Sequence, residues 1–399
     1  MRKTLFWIHL VCGLVVGLFV ALMAATGAAL AFEDELVAWS ERDARRVVQP
    51  APDAPRLGVD ALREKLRQAR PDLKDVGVTI HRDPTMAVTF SSDKEAFFLN
   101  PWTGEVRQPR SRGMAHTMDT LTGLHRWLAL KDEARATGRA ITGAVNLAFL
   151  GLVLTGLVIW WPRKWTKPAL RMLAVPSLRL KGKVRDFNWH NAFGLWSLPV
   201  LAVLCLTAIP ISYRWGGELV YRLAGDRMPE GGRGREAGPK VEPMADLPLL
   251  TPEPVLAKAQ QDFPTWERLS LRSGGNRGRG REGKEPKGPQ PLMLMVKEAG
   301  AWPRTASTMV TLNPYTGEVM KRAAHADGTP GARLRHWTRF LHTGQALGPV
   351  GQALALLGCL VALVLVWTGF ALSWRRFFAR KPAVEPQEAP LPDTETLLA

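Results

Sequence analysis

Four of the eight histidines form two matched pairs. His9 and His190 each stand about one turn into an apolar stretch, and each is followed four residues later by a glycine, Gly13 or Gly194, on the same helix face. His125 and His342 each follow a leucine just ahead of another apolar stretch. Neutral imidazoles from facing helices of a bundle can supply both axial ligands of a haem iron. Glycine one turn away removes the side chain that would collide with a flat macrocycle. An interfacial or helix-capping role is the plainer alternative for any one of these histidines. Ionisable residues at membrane depth are costly, so four of them in two symmetric pairs favour ligation. A zinc or di-metal site is the competing use, but it needs clustered ligands such as HExxH or CxxC, and neither spacing occurs.

Other polar residues near these positions are weaker candidates. His116 and His336 each precede a candidate ligand. His336 lies six residues before His342 and points away from it on a helix, which suits a substrate-side or propionate contact. Arg126 and Arg339 adjoin the second pair and match carboxylates such as haem propionates, or simply snorkel. His81 and His325 read as surface residues. Cys12, Cys205 and Cys359 lie in apolar stretches and read as small packing residues, so no disulfide is expected.

The elements that must position these groups are membrane helices. Apolar runs at 5–32, 141–161, 191–213 and 350–374 each reach the length needed to cross a hydrocarbon core. They divide the 399 residues into helices at 1–32, 141–161, 189–213 and 349–374, outer segments at 33–140 and 214–348, a loop at 162–188 and a tail at 375–399. The first run is too long for a signal h-region and reads as a retained helix. The loop carries eight Lys/Arg against one acid, Asp186, and Arg375 and Arg376 follow the last run. Positive charge on one side predicts that both termini and the loop are cytoplasmic and the outer segments periplasmic. Much of the net charge of +17 is thereby a membrane address, and nucleic acid is not an expected partner. The basic insertions at 225–240 and 273–289 read as linkers.

The chain is a duplication. LNPWTGEV at 99–106 recurs as LNPYTGEV at 312–319, and TGLVIWWPR at 155–163 as TGFALSWRR at 368–376, both offset by 213 residues. LHRWLAL at 124–130 lines up with LHTGQAL at 341–347, and IHLVCGL at 8–14 with WHNAFGL at 189–195. Each outer segment reads as a small α+β unit. The first has a helix at 59–69 and strands at 76–81, 87–90 and 96–99. The second has a helix at 254–262 and strands at 266–272, 292–297 and 308–312. Each last strand ends in an Asn-Pro-aromatic-Thr-Gly turn.

These motifs resemble the PepSY-associated transmembrane family, which includes iron-regulated inner-membrane proteins and ferric-siderophore reductases. The resemblance spans roughly residues 1–380. It implies an α-helical membrane protein, a four-helix bundle from a duplicated two-helix repeat, with two periplasmic PepSY-like α+β domains. It further implies two haem b groups, one held by His9 and His190 and one by His125 and His342, passing electrons to a ferric siderophore. Some relatives carry a flavin reductase domain after the last helix. Here only a short tail follows, so quinol or a separate cytoplasmic reductase is the expected donor. Two other readings stay open: a di-haem quinol-linked cytochrome serving another periplasmic acceptor, and a non-enzymatic PepSY membrane protein that binds peptides or regulates a partner.

Overall fold

A computed structural model of the chain describes residues 1–73, 76–92, 95–163, 165–229, 239, 241–244, 247–273 and 288–378. Most of the two basic insertions and of the tail therefore lies outside the described residues. Helix α1 (Arg2–Leu30) leads through α2 (Glu33–Ser40) and α3 (Arg42–Arg45) to α4 (Val59–Ala69) and strands β1 (Gly77–His81), β2 (Val88–Ser91), β3 (Ala96–Leu99) and β4 (Val106–Arg107). Helices α5 (Gly113–Trp127) and α6 (Ala134–Trp160) close the first half, and α7 (Lys167–Ala174) joins it to the second. The second half runs α8 (Gly182–Ser212), α9 (Arg214–Leu223), α10 (Pro252–Asp262), β5 (Trp266–Ser273), β6 (Leu292–Glu298), β7 (Thr308–Leu312), β8 (Val319–Ala324), α11 (Pro330–His342) and α12 (Pro349–Phe378).

Four helices, α1, α6, α8 and α12, are long and apolar enough to cross a membrane. They pack in a ring, α1 on α6, α6 on α8, α8 on α12 and α12 on α1, which leaves α1 and α8 diagonal across the centre. Helices α6 and α8 begin seven to nine residues before the apolar windows that announce them, because polar residues continue a helix beyond the hydrocarbon core. Arg2 donates to the carbonyls of Ile159 and Trp161, and Arg375 to the carboxylate of Asp186. Thus the chain start, the α6–α8 connection and the end of α12 share one end of the bundle.

At the other end lies a single antiparallel sheet of eight strands, ordered β4-β3-β2-β1-β5-β6-β7-β8. The two α+β units share this sheet, because β1 pairs with β5 in the register Val78↔Leu271 to His81↔Arg268. Thr79 adds a side-chain hydrogen bond to Ser270 at 2.9 Å across this seam. Helices α4 and α10 cover one face, and Leu62 and Leu66 share one apolar core with Leu256, Phe90, Phe97, Leu269 and Val296. The Glu253 carboxylate of α10 accepts from the Asp60 N–H of α4 at 3.1 Å, placing an anion on the positive end of that helix. Gly104 and Gly317 take φ of +74° and +71° in the two Thr-Gly turns, a region where a Cβ is strained. Strand β4 is only two residues long and β8 is mostly exposed, with no apolar alternation to announce them.

His81, expected at the surface, is instead a half-buried member of the β1–β5 seam. Burial, with Arg268 and Arg45 nearby, pushes its pKa down to about 4. In the unfolded chain it would bind a proton nearer the ordinary value of about 6.5. Its neutrality therefore contributes stability fully above pH 6.5, and that contribution is lost as pH falls toward 4. Thermal unfolding of the whole protein should be level above pH 7 and fall over this window, with a shallower fall in His81→Asn. An unchanged profile in the variant would remove His81 as the source.

Candidate functional site

His9 on α1 and His190 on α8 face each other across the bundle diagonal, with ring centroids 6.4 Å apart. At the sheet end, His125 on α5 and His342 on α11 are also 6.4 Å apart. His9 and the Thr26 contact of His125 lie 17 residues apart on α1, about 25 Å at 1.5 Å per residue. The two pairs thus sit near the two ends of a membrane-length bundle. A small apolar core lies between the helices, formed by Ala24, Leu201 and Ala362 with Phe149 and Val153 against it.

Each histidine meets a threonine of a neighbouring helix through Nδ1. His9 reaches Thr155 of α6 at 2.9 Å and His190 reaches Thr368 of α12 at 2.9 Å. His125 reaches Thr26 of α1 at 2.9 Å, and His342 reaches Thr207 of α8 at 3.4 Å. These threonines are repeat-related too: Thr26 and Thr207 share the 181-residue offset of His9 and His190, and Thr155 and Thr368 the 213-residue offset of the TG motif.

The proton positions follow from donor bookkeeping. A threonine hydroxyl has one proton. Each of these four directs it to the carbonyl one turn back: Thr155 to Gly151 at 2.7 Å, Thr368 to Val364 at 2.8 Å, Thr26 to Leu22 at 2.7 Å and Thr207 to Val203 at 2.6 Å. The hydroxyl oxygen must then accept, so the imidazole Nδ1 carries the hydrogen. His342 makes the point independently, since its Nδ1 lies 3.0 Å from the Leu204 carbonyl, which can only accept. Among the described residues, the hydrogen bonds of these four rings all run through Nδ1. Nε2 is then the nitrogen with the lone pair, the arrangement in which a partner on one ring nitrogen orients the other for a metal.

Glycines make room for the rings. A Cβ at Gly156 would stand 3.5 Å from His9 Cε1, one at Gly369 3.6 Å from His190 Cε1, and one at Gly27 3.3 Å from His125 Cε1. So the TG dipeptide does two jobs, with threonine fixing the tautomer and glycine clearing the ring. The fourth instance departs, with Ala208 after Thr207. Gly13 and Gly194 border open space, where a Cβ would meet only Leu152 at 4.0 Å or Leu365 at 3.8 Å.

The donor set suits haem. Two metal–imidazole bonds of about 2.0–2.1 Å, plus the distance from each nitrogen to its ring centre, put centroids about 6 Å apart. Among the described residues no three His, Cys, Asp or Glu side chains come together. Two imidazoles alone do not complete a zinc site, whereas a porphyrin brings four nitrogens of its own.

The weaker candidates lie elsewhere. His116 is exposed on α5. His336 faces away from the pair, stacking on His325 at 4.4 Å and Phe340 at 4.6 Å and hydrogen-bonding Thr305 at 2.9 Å. Burial, with His325 and Arg339 beside it, lowers its pKa to about 4. His325 is therefore half of a ring stack, where a free surface side chain was expected. Arg126 lies over the Trp127 ring at 4.7 Å and Arg339 over Phe340 at 5.3 Å.

The segment after His125 reverses sharply into α6. Leu128, Ala129 and Asp132 take φ of 53°, 58° and 47°, while the matching turn after His342 uses Gly344 and Gly348. Left-handed backbone costs a residue with a Cβ roughly 1–2 kcal/mol. That strain is held by the close seat of α5 on α6, where Gly138 sits against the Trp127 carbonyl with no room for a side chain.

The sequence model of the family described as PepSY-associated TM region matches residues 6–376. The chain belongs to this family. No curated protein matches it. In this PepSY-associated membrane protein the matched region takes in both histidine pairs, all four threonines and the whole sheet.

Proposed function

We propose that this protein is a di-haem b electron-transfer protein of the bacterial inner membrane, an oxidoreductase that moves reducing equivalents to a periplasmic acceptor. One observation carries the reading: two facing imidazole pairs, at two depths of one bundle, each ring held by a threonine in the tautomer that frees Nε2. His9 with His190 would hold one haem b and His125 with His342 the other. Bound haem supplies a one-electron couple. The chain's own residues hold and orient the imidazoles, and the apolar core between the pairs excludes water. Electron transfer of this kind needs no acid–base or nucleophilic step from the chain.

The sidedness in this reading follows the basic loop between α6 and α8, which would place that end in the cytoplasm and the sheet in the periplasm. Quinol or a separate cytoplasmic reductase is the proposed donor. The family resemblance supports a ferric siderophore as acceptor, since iron(II) binds hard oxygen chelators far more weakly and would be released.

The test is an absorbance spectrum of the purified protein before and after dithionite. Reduced b-type bands and two haems per chain are expected. His9→Ala or His190→Ala should remove one haem, and His125→Ala or His342→Ala the other. Protein that purifies without haem, and in which all four histidines are replaceable without phenotype, would instead be a PepSY-bearing anchor. Anaerobic reoxidation by a ferric siderophore, compared with other acceptors, separates siderophore reduction from a general cytochrome role.

A further inference from the structure

At the bundle end away from the sheet, a cleft of about 460 Å³ opens between the start of α1 and the end of α6. It is lined by Arg2, Lys3, Phe6, Ile159 and Arg163. Arg376 adds a fourth cation at its edge, 4.8 Å over the Phe6 ring and 4.9 Å over Trp7. Among the described residues no carboxylate lines the cleft or forms an ion pair with these four cations. Arg2 spends its Nη2 hydrogens on the Ile159 and Trp161 carbonyls, which fixes it in place and leaves the Nε and Nη1 hydrogens for another acceptor.

The duplication supplies the comparison. The equivalent corner of the second half lies between the start of α8 and the end of α12. There a carboxylate of the chain itself, Asp186, is fully buried and takes hydrogen bonds from Arg185 and Arg375. By the 181-residue offset, the position of Asp186 is held in the first half by Leu5. One corner therefore carries its own anion, while the other gathers cations and, among the described residues, has none.

We propose that the α1–α6 corner binds the phosphate head group of an anionic phospholipid. The membrane-spanning surface of the same two helices is apolar, as a lipid-facing surface requires. Ile8, Val11 and Val15 form an exposed apolar stripe at helical spacing on α1, and Leu154 and Val158 form another on α6. Trp161 and Trp165, 5.3 Å apart, sit beside it at the level where membrane aromatics gather. Basic pockets between membrane helices are suited to anionic head groups. This proposal needs only the membrane span and does not depend on the haem reading.

The experiment uses the full chain in nanodiscs and in detergent. Lys3→Gln/Arg163→Gln removes two cations from the cleft and leaves Arg2 to cap α6. Lys167→Gln/Arg171→Gln removes two exposed cations from α7 at the same membrane end and serves as the control. Native mass spectrometry after delipidation reads the number of phosphatidylglycerol molecules retained, with phosphatidylcholine as the neutral probe. Wild type and the α7 control should each keep one phosphatidylglycerol. The cleft variant should bind it roughly thirty-fold more weakly, at about five-fold per cation. Its thermal unfolding in phosphatidylcholine should match wild type, which separates loss of the site from misfolding. Equal losses in both double variants would reduce the effect to diffuse surface charge and overturn the site. So would equal retention in all three proteins. Full displacement of the lipid by inorganic phosphate would make the cleft an oxyanion site with no lipid preference.

Discussion

Asp186→Asn should lower the stability of the protein by about 3 kcal/mol, read as an earlier thermal or denaturant transition of the tryptophan fluorescence. Asp186 is fully buried, and both carboxylate oxygens are in use. Oδ1 takes Arg185 Nε and Nη2 at 3.0 and 2.9 Å, and Oδ2 takes Arg375. The amide keeps the shape, but it removes the charge and turns two N–H donors toward groups that can only donate. Removing one partner of a buried ion pair costs about 3–5 kcal/mol, because the other charge stays behind without compensation. The lower end applies here, since the arginine side chains are 30% and 34% exposed and can turn toward water or head groups. Arg185 also lies over the rings of Trp189 and Trp367, at 5.4 and 5.0 Å, so its loss of position would loosen the α8–α12 contact one turn from His190. Arg375→Gln alone should cost less, and the double variant should cost less than the two single effects added together. Stability within about 0.5 kcal/mol of wild type would show that this ion pair is incidental.

The sequence made some of these features legible and hid others, for identifiable reasons. Helix α4 and strands β3 and β7 lie where apolar patterning puts them, because α4 buries one stripe on the sheet, the two strands are buried almost throughout, and each ends at a Pro or Gly signal. The pairing of β1 with β5 could not be read that way. Both are ordinary half-buried strands, and what joins them is an edge-to-edge contact across about 190 residues with no local code. His81 was misjudged for the same reason, since a strand edge looks exposed until another strand covers it. The histidine pairs were legible because polar residues are conspicuous in apolar helices and the duplication doubled the signal. Two of their threonines, Thr155 and Thr368, were in plain view within the repeated TG motif. A threonine in a membrane helix ordinarily satisfies its hydroxyl on its own backbone, so nothing in the pattern announced a second bond. Asp186 looked like a minor offset to a basic loop. Its burial depends on Arg375, 189 residues away, finding it from the far end of the chain.

On the proposed di-haem reading, Thr368→Val should weaken haem retention at the His190 site by about 10- to 100-fold, the usual cost of losing the group that orients a metal-binding histidine. Valine preserves the volume of a side chain that is completely buried, so packing changes little. It removes the oxygen that accepts the Nδ1 hydrogen of His190 at 2.9 Å. The ring is then held less firmly in orientation and tautomer, and either change costs the Nε2 lone pair its fixed placement between the two rings. Thr368→Ser restores an acceptor and should recover most of the retention, which a loss of packing alone would not predict. The His125–His342 pair offers an internal contrast. His342 holds its threonine at 3.4 Å, farther than the Leu204 carbonyl at 3.0 Å, whereas His190 holds Thr368 at 2.9 Å, so Thr207→Val should cost less than Thr368→Val. Measuring haem loss to an apo-haem acceptor in the two valine variants would order the effects. Equal retention in both, or a serine variant no better than valine, would mean that the hydroxyls do not set the orientation of the imidazoles.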